Sequence, residues 1–379
     1  MKRNKLIRNY IFVMVCGLIF GSFFSCEEDN TSTDTENERL ISRLEAAADS
    51  IISHTNVPGI VALVYDNEHG IEWTYATGLS DIENNIPAET EHTFRIGSNT
   101  KTMVGTVLLQ LVDEDKISLD DKLSDFFSGF LKADSVSIRM LANMSSGIGN
   151  YTENDEWGAL VMTNPLWVWQ PEELVNYGFS LGYYFEPGTG FHYSNTNTIL
   201  LGMIIEQLTS NSLQEENENR ILEPLNLNQT GFLTAGVALP GTHGKGYYYG
   251  QYEPGEESTE IIDVSWAWAA GSVYSTVSDL HKYVERLVEG GFLSNELQEE
   301  RLTDLQVVST TPERAYGLCL IRYQSFFGHN GGIFGYTSSM VHSREHDCSI
   351  IIWYNCHLED EGIYPDQLLY EYIDILFGE

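Results

Sequence analysis

The sequence predicts a mixed α/β fold of the α+β kind: an antiparallel sheet flanked by helices, with an all-helical domain inserted between the two halves of the sheet. Three observations carry this. Strand-like runs occur near both ends of the chain, helical periodicity fills the middle, and an apolar-faced helix brackets each end. At 379 residues the chain is long enough to bury a core without disulfide staples.

The first 25 residues read as a secretory leader. Lys2, Arg3, Lys5 and Arg8 are basic, Tyr10 to Phe24 is apolar but short for a bilayer span, and Ser25 precedes Cys26. Cys26 resembles the lipid-modified cysteine of bacterial lipoproteins. Residues 26–35 then read as an acidic, solvated tether, beginning with Glu27 to Asp29. The remaining unit, 36–379, divides into an α/β part at 36–97 and 265–379 and a helical part at 98–264.

Along that unit, Glu36 to His54 carries Leu40, Ile41, Leu44, Ala47, Ala48 and Ile51 on one helical face. Val57 to Tyr65 and Ile71 to Thr77 form two strands around a turn at Asp66 to Gly70. Met103 to Val112 is apolar almost all round, as in a helix buried between layers. Ser137 to Met144, Glu172 to Tyr177, Thr196 to Leu208 and Leu213 to Leu222 are helical, punctuated by Pro165, Pro171, Pro187 and Pro224. A helix at Val277 to Gly290 is capped by Ser275 or Thr276. Strands follow at Tyr316 to Tyr323, Gly335 to Ser343 and Ser349 to Tyr354, with Phe326 to Gly328 as a short piece. An apolar helix, Pro365 to Leu376, closes the chain.

The formal charge is −35, and loss of the four leader cations takes it to −39. Such acidity argues against a nucleic-acid partner and against docking on anionic lipid, leaving the acyl group on Cys26 as the membrane attachment. Of the five cysteines, Cys319, Cys348 and Cys356 lie beyond Cys26, so at least one stays unpaired. If 348 to 356 is one strand its ends lie about 26 Å apart, too far for a bridge. His342, His346, Cys348, Cys356 and His357 fit a hairpin and contain no closely spaced cysteine pair, so no metal site is expected.

Ser98-Asn99-Thr100-Lys101 opens the buried helix and puts a hydroxyl and an amine on one helical face. Burial and the helix dipole favour a neutral Lys101, able to accept the Ser98 proton. Tyr193-Ser194-Asn195 offers a tyrosine that cationic neighbours would convert to a base, and an asparagine placed to orient a substrate amide. His329-Asn330-Gly331-Gly332 offers a strand edge along which a substrate backbone approaches. There the N–H of Gly332 joins that of Ser98 as an oxyanion hole, and His329 meets a carboxylate. Each motif alone is cheap: a four-residue Ser/Lys spacing arises by chance about once in a chain of this size, and Tyr65-Asp66-Asn67 matches the tyrosine motif equally well.

In order, these residues resemble the serine beta-lactamase and penicillin-binding protein superfamily, in its class C beta-lactamase and D-alanyl-D-alanine carboxypeptidase branch. The spacings are 95 residues from Ser98 to Tyr193 and 136 from Tyr193 to His329. Leu141 to Gly147, Pro187-Gly188, Glu223-Pro224-Leu225, Ala270-Gly271, Ser275-Thr276 and Tyr316-Gly317-Leu318 are similar to further landmarks of that branch. His329 stands where its beta-lactamases carry lysine, Asn143 replaces a histidine, and Cys319 a glycine. The resemblance implies a beta-lactamase/transpeptidase-like fold and an acyl-enzyme on Ser98, with Lys101 and Tyr193 sharing proton transfer and no cofactor or metal. Asn195, His329 and Gly331 would bind a small peptide, ester or beta-lactam substrate. It implies D-alanyl-D-alanine carboxypeptidase or D-amino-acid peptidase activity, which the leader and Cys26 place in an exported cell-envelope lipoprotein, expected to be a monomer. An esterase or weak beta-lactamase, and a non-catalytic cell-wall-binding lipoprotein, are the alternatives. A His329 of ordinary pKa would make carboxylate binding weaken as pH rises through neutrality.

Overall fold

In the computed structural model, residues 30–249, 256–307, 314–358 and 364–378 are described; the leader and Cys26 lie outside them. The chain enters through helix α1 (Asn30–His54) and builds β1 (Gly59–Asp66), β2 (Ile71–Asp81) and the short β3 (Ile86–Pro87) and β4 (Phe94–Arg95). A 3₁₀ turn, Gly97–Asn99, leads into α2 (Thr100–Asp113). The insert carries α3 (Ile138–Ala142), α4 (Asp155–Thr163), α5 (Pro171–Ser180), α6 (Asn195–Thr209) and α7 (Leu213–Asn217). Short strands β5 (Gly231–Phe232), β6 (Tyr247–Tyr249) and β7 (Glu256–Glu257) and helix α8 (Trp268–Gly271) follow. The chain returns through β8 (Val273–Ser275), α9 (Val277–Glu289) and α10 (Asn295–Thr303) to the strands of its C-terminal half. These are β9 (Gln306–Val307), β10 (Arg314–Tyr316), β11 (Ile321–Tyr323), β12 (Phe326–Ile333), β13 (Tyr336–Ser343), β14 (Cys348–Tyr354) and β15 (Cys356–Leu358), before α11 (Pro365–Phe377).

The two ends of the chain build one nine-stranded antiparallel sheet, ordered β3-β2-β1-β14-β13-β12-β11-β10-β9. Its seam is the β1 to β14 pairing, with Ile60 opposite Tyr354 and Asp66 opposite Cys348. Alternation along β1 divides the core. Ile60, Ala62 and Val64 join Leu44 of α1 and Leu369 and Tyr372 of α11, while Val61 and Leu63 face the cluster containing α2, α9 and the insert. Covered on both faces, β13 and β14 are buried throughout; β14 accordingly reads as a near-continuous apolar run, while β13 carries buried Thr and Ser whose hydroxyls find hydrogen-bond partners. Helix α2 is buried at every position from Thr100 to Leu109 and again at Leu111, so its all-round apolar character is used.

Several expectations are corrected. Helix α1 begins at Asn30, so residues 30–35 of the expected tether are helical. Once the docked face of a helix has formed, adding a further turn costs little, whatever the composition. Tyr316 to Tyr323 is two strands, because Gly317 to Leu320 turns between β10 and β11, closed by the Gly317 N–H donating to Leu320 O at 2.8 Å. The apolar Leu318-Cys319-Leu320 earns burial as a loop packed on α2, a state that composition cannot distinguish from a strand. The short piece at Phe326 extends through the glycines to Ile333, and Leu213 to Leu222 splits into α7 and a π-helical turn, Glu218–Leu222. Helices α4 and α10 were not anticipated; Asn154 and Ser294 cap them, the former accepting from the Glu156 and Trp157 amides. The α9 cap is Thr276, whose side chain accepts from the Asp279 amide.

Leu44 is fully buried between α1, α11 and the sheet. Leu44→Ala is expected to cost about 3 kcal/mol of unfolding free energy, read by urea denaturation; a loss below about 1 kcal/mol would show that α1 docks without contributing to the core.

Candidate active site

Ser98 projects from the 3₁₀ turn ahead of α2, and the turn is held from below. Asn99, buried, donates through Nδ2 to Ile96 O (3.1 Å) and to Ser338 Oγ of β13 (2.9 Å), and Ser338 Oγ itself donates to Ile96 O at 3.0 Å. Strand β12 lies against this turn because two residues lack a side chain. Gly97 has φ +54°, and a Cβ there would stand 2.8 Å from Gly332 N; a Cβ at Gly331 would strike Ile96 O. The Ser98 and Gly332 backbones thereby come to line the same cavities.

Lys101 is fully buried one turn on from Ser98. Its Nζ donates to Ser98 Oγ at 2.9 Å and to Ala270 O of α8 at 2.7 Å, and lies 5.0 Å from the centre of the Tyr193 ring. Burial pushes its pKa down to about 7. A neutral amine has two N–H groups and one lone pair; with Ala270 O taking an N–H, the lone pair can turn to the Ser98 proton.

Tyr193 departs from the expectation of a lowered pKa. Burial pushes its phenol well up, so the group holds its proton at neutral pH. Its oxygen is buried and makes no hydrogen bond with the described residues. It is therefore equipped to donate a proton. The two shifts run in opposite directions: burial favours a neutral amine at Lys101 and a protonated phenol at Tyr193.

His329 is corrected in the same way. It is fully buried within β12, with Nε2 3.2 Å from Tyr316 Oη and Nδ1 against its neighbour's carbonyl, Asn330 O. Burial, reinforced by the like charge of Lys101, pushes its pKa down to about 3. A neutral imidazole wedged beside Tyr193 and Tyr316 offers no cation to a carboxylate, and it does not titrate near neutral pH. The cation on this side of Ser98 is Arg314 of β10, which no motif marked. It stands 3.7 Å from the Asp366 carboxylate and over the Tyr323 ring at 5.1 Å. Asp366, partly buried at the start of α11, also accepts from Asn330 Nδ2 (2.8 Å) and Ser339 Oγ (2.5 Å).

Asn195 begins α6. Its N–H donates to Asn150 Oδ1 and its Nδ2 to Thr152 Oγ1, both at 3.0 Å. Two cavities meet at Ser98. One of about 280 Å³ is lined by Asn195, Tyr151, Trp157, Trp266, Tyr248 and Phe334 among others. The other, about 380 Å³, is lined by Tyr193, Arg314, Tyr316, Asn330 and Gly331 among others. The structure thus brings Ser98, Lys101, Tyr193, Asn195, His329, Gly331 and Gly332 together.

The remaining cysteines are buried, and burial pushes the Cys319 thiol up to about 12. Cys319 takes φ +58° and donates its N–H to Ala142 O, so the residue in the glycine position carries strain against α2. His342, weighed above for metal, instead bridges Ser349 Oγ (2.9 Å) and Glu289 Oε1 (3.0 Å). That line has the order of a hydrolase relay, but Ser349 is fully buried in the sheet. Asn143 accepts from Ser145 Oγ at 2.6 Å and fixes the loop after α3.

The Lys101 geometry makes a direct expectation. After ¹³C-reductive methylation, its resonance should titrate with a midpoint near pH 7 and the amine should be neutral above it. A midpoint above 9 would mean that water reaches Nζ.

Comparisons with known proteins agree with this geometry. A family model described as Beta-lactamase matches residues 38–369. "Penicillin-binding protein 4*" of Bacillus subtilis strain 168 is 24% identical over 326 residues, covering 82% of this chain and 70% of its own. Among solved structures, a D-stereospecific amidohydrolase from Streptomyces sp. superposes with a TM-score of 0.81 at 28% identity, over 89% of this chain and 99% of that one. The D-amino acid amidase of Ochrobactrum anthropi SV3, complexed with L-phenylalanine amide, gives 0.77 at 25%, over 90% and 99%. The chain belongs to the beta-lactamase family, as a hydrolase of the serine beta-lactamase and penicillin-binding protein superfamily.

Proposed function

We propose that this protein is a serine amide hydrolase acting through an acyl-enzyme on Ser98, with D-amino acid amides and short D-peptides as substrates. The observation that carries the reading is the buried Lys101 hydrogen-bonded to Ser98, with no ion-pair partner among the described residues. Lys101 takes the Ser98 proton as Oγ attacks the substrate carbonyl, and the N–H groups of Ser98 and Gly332 receive the developing oxyanion. Tyr193 gives its proton to the departing nitrogen and recovers one from the Lys101 ammonium beneath its ring. Water then attacks the ester, with the same groups acting in reverse order, and frees Ser98.

The choice of an amide follows from charge. Tyr193 lines the cavity that also holds Arg314, so the leaving group occupies that side. There Arg314 is compensated by Asp366 and His329 is neutral, so a neutral amine leaves from a balanced site. The solved relatives named as D-amino acid hydrolases support the same substrate class. A carboxypeptidase on D-alanyl-D-alanine ends is the second reading, favoured by Arg314 itself: should Asp366 release it, a terminal carboxylate would find a guanidinium. We propose further that the protein is exported as a monomer and anchored through an acyl chain on Cys26.

The deciding experiment pairs turnover with intact mass. D-alanine amide is expected to be hydrolysed faster than D-alanyl-D-alanine, and a fluorescent penicillin to add one adduct to the parent and none to Ser98→Ala. No adduct and no hydrolysis of amides, peptides or esters would favour the binding-protein alternative. Lys101→Ala should lower kcat about a thousandfold or more. With Lys101 titrating at about 7, kcat/KM should fall as pH drops through 7 and level off above it. A limb moving KM near pH 6.5 would instead return the charge to His329. Cys26→Ala should release the protein from the membrane fraction and abolish palmitate labelling.

A further inference from the structure

The cavity on the acyl side of Ser98 has a composition that the hydrolase reading leaves unused. Five aromatic rings line it: Tyr151, Trp157, Tyr248, Trp266 and Phe334. They brace one another. Trp157 meets Tyr151 edge-on at 5.2 Å and Trp266 at 5.6 Å, Trp266 meets Phe334 at 5.5 Å, and Phe334 meets Tyr248 at 5.1 Å. Tyr151 is fixed further by its hydroxyl, which donates to Trp266 O at 2.7 Å. A wall held in this way is formed before any ligand arrives, so little is lost in ordering it.

Two polar atoms of the lining residues lack partners among the described residues. Trp157 Nε1 is buried and makes no hydrogen bond among the described residues. Asn195 donates its backbone N–H to Asn150 and its Nδ2 to Thr152, and nothing among the described residues donates to its Oδ1. Among the described residues, no Asp, Glu, Lys or Arg lines the cavity. A charged side chain there would shed its water without an ion partner, at a cost that a flat apolar group avoids.

Resting on the reading of Ser98 as nucleophile, the geometry points to an aminoacyl donor with an aromatic side chain. The ring packs among Trp157, Trp266, Tyr248 and Phe334, and the α-nitrogen donates to Asn195 Oδ1. The side chain is thus chosen in the helical insert and its neighbouring loops, on the opposite side of Ser98 from the leaving group. Aromatic pairs of this kind add to the benefit of burying the ring.

The test compares D-phenylalanine amide, D-alanine amide and D-lysine amide. In the parent, kcat/KM for the phenylalanine amide is expected to exceed that for the alanine amide about tenfold or more, with the lysine amide no better than alanine. Trp266→Ala should shrink the phenylalanine-to-alanine ratio at least fivefold, while Trp266→Phe retains most of it. Should Trp266→Ala fail to fold by its thermal melt, Tyr248→Ala at the rim provides the same ratio. Calorimetric binding of the phenylalanine and alanine amides to Ser98→Ala separates this inference from the reading beneath it. Tighter phenylalanine binding without turnover by the parent would keep the aromatic site and remove the nucleophile. Equal binding, a preference for lysine, or a ratio unmoved in the aromatic variants would overturn the inference.

Discussion

Lys101 is held fully buried by two oxygens, Ser98 Oγ and Ala270 O, with no carboxylate among its described partners. A displacement of its pKa from 10.5 to about 7 corresponds to about 5 kcal/mol between the charged and neutral forms, comparable with the net stability of a whole domain. Only a surround that cannot relax around the amine sustains such a difference. The surround here is α2, buried on every side, closed by α8 carrying Ala270, by the Tyr193 ring and by the loop that lowers Cys319 onto Gly105. An aspartate in this shell would hold the lysine charged and leave Ser98 without a base.

That enclosure requires three distant stretches of chain. The turn before α2 brings Ser98 from the N-terminal half, the insert brings Tyr193 and Asn195, and β12 brings Gly332 from the C-terminal half. The pairing of β1 with β14 places the two halves in one sheet, and β12 can meet the turn only where Gly97 and Gly331 leave the space. The extra glycine next in line, Gly332, has ordinary clearance and serves through its amide. The site is thus set by backbone contact as much as by side chains.

What could be read in the sequence follows from this. Ser98 and Lys101 were legible because three-residue spacing on a helix is a local property, and the apolar run after them already implied burial. The antiparallel sheet was legible because β1 and β14 are rich in β-branched residues and bounded by turns. The charge of His329 was not, since its neutrality comes from burial in a β12 that is interior to the sheet and from the nearby Lys101. The same holds for Tyr193, whose environment was expected to contain cations and instead excludes water. Arg314 escaped because its meaning depends on Asp366, 52 positions later, reaching it from the first turn of α11. Leu318 to Leu320 was misread for a simpler reason: apolar residues signal burial, and the shape of the buried backbone is decided by what they meet.

The two sides of Ser98 differ in kind. On the leaving-group side Arg314, Asp366, Asn330 and Ser339 form a charged, hydrogen-bonded set tied to β10, β12, β13 and α11. On the acyl side the lining is aromatic and comes largely from the insert and the loop around Trp266. Substitution on one side leaves the other and the Ser98 to Lys101 pair in place, so one fold can change its acyl donor without changing its chemistry. The strong negative charge of the chain acts on this division from a distance. It repels an anionic substrate before contact, and the balanced Arg314 to Asp366 pair does little to reverse that, whereas an amino acid amide with a protonated α-nitrogen is drawn in. On the proposed reading, long-range field and leaving-group site both disfavour an anionic substrate, and the acyl cavity favours an uncharged side chain on the donor.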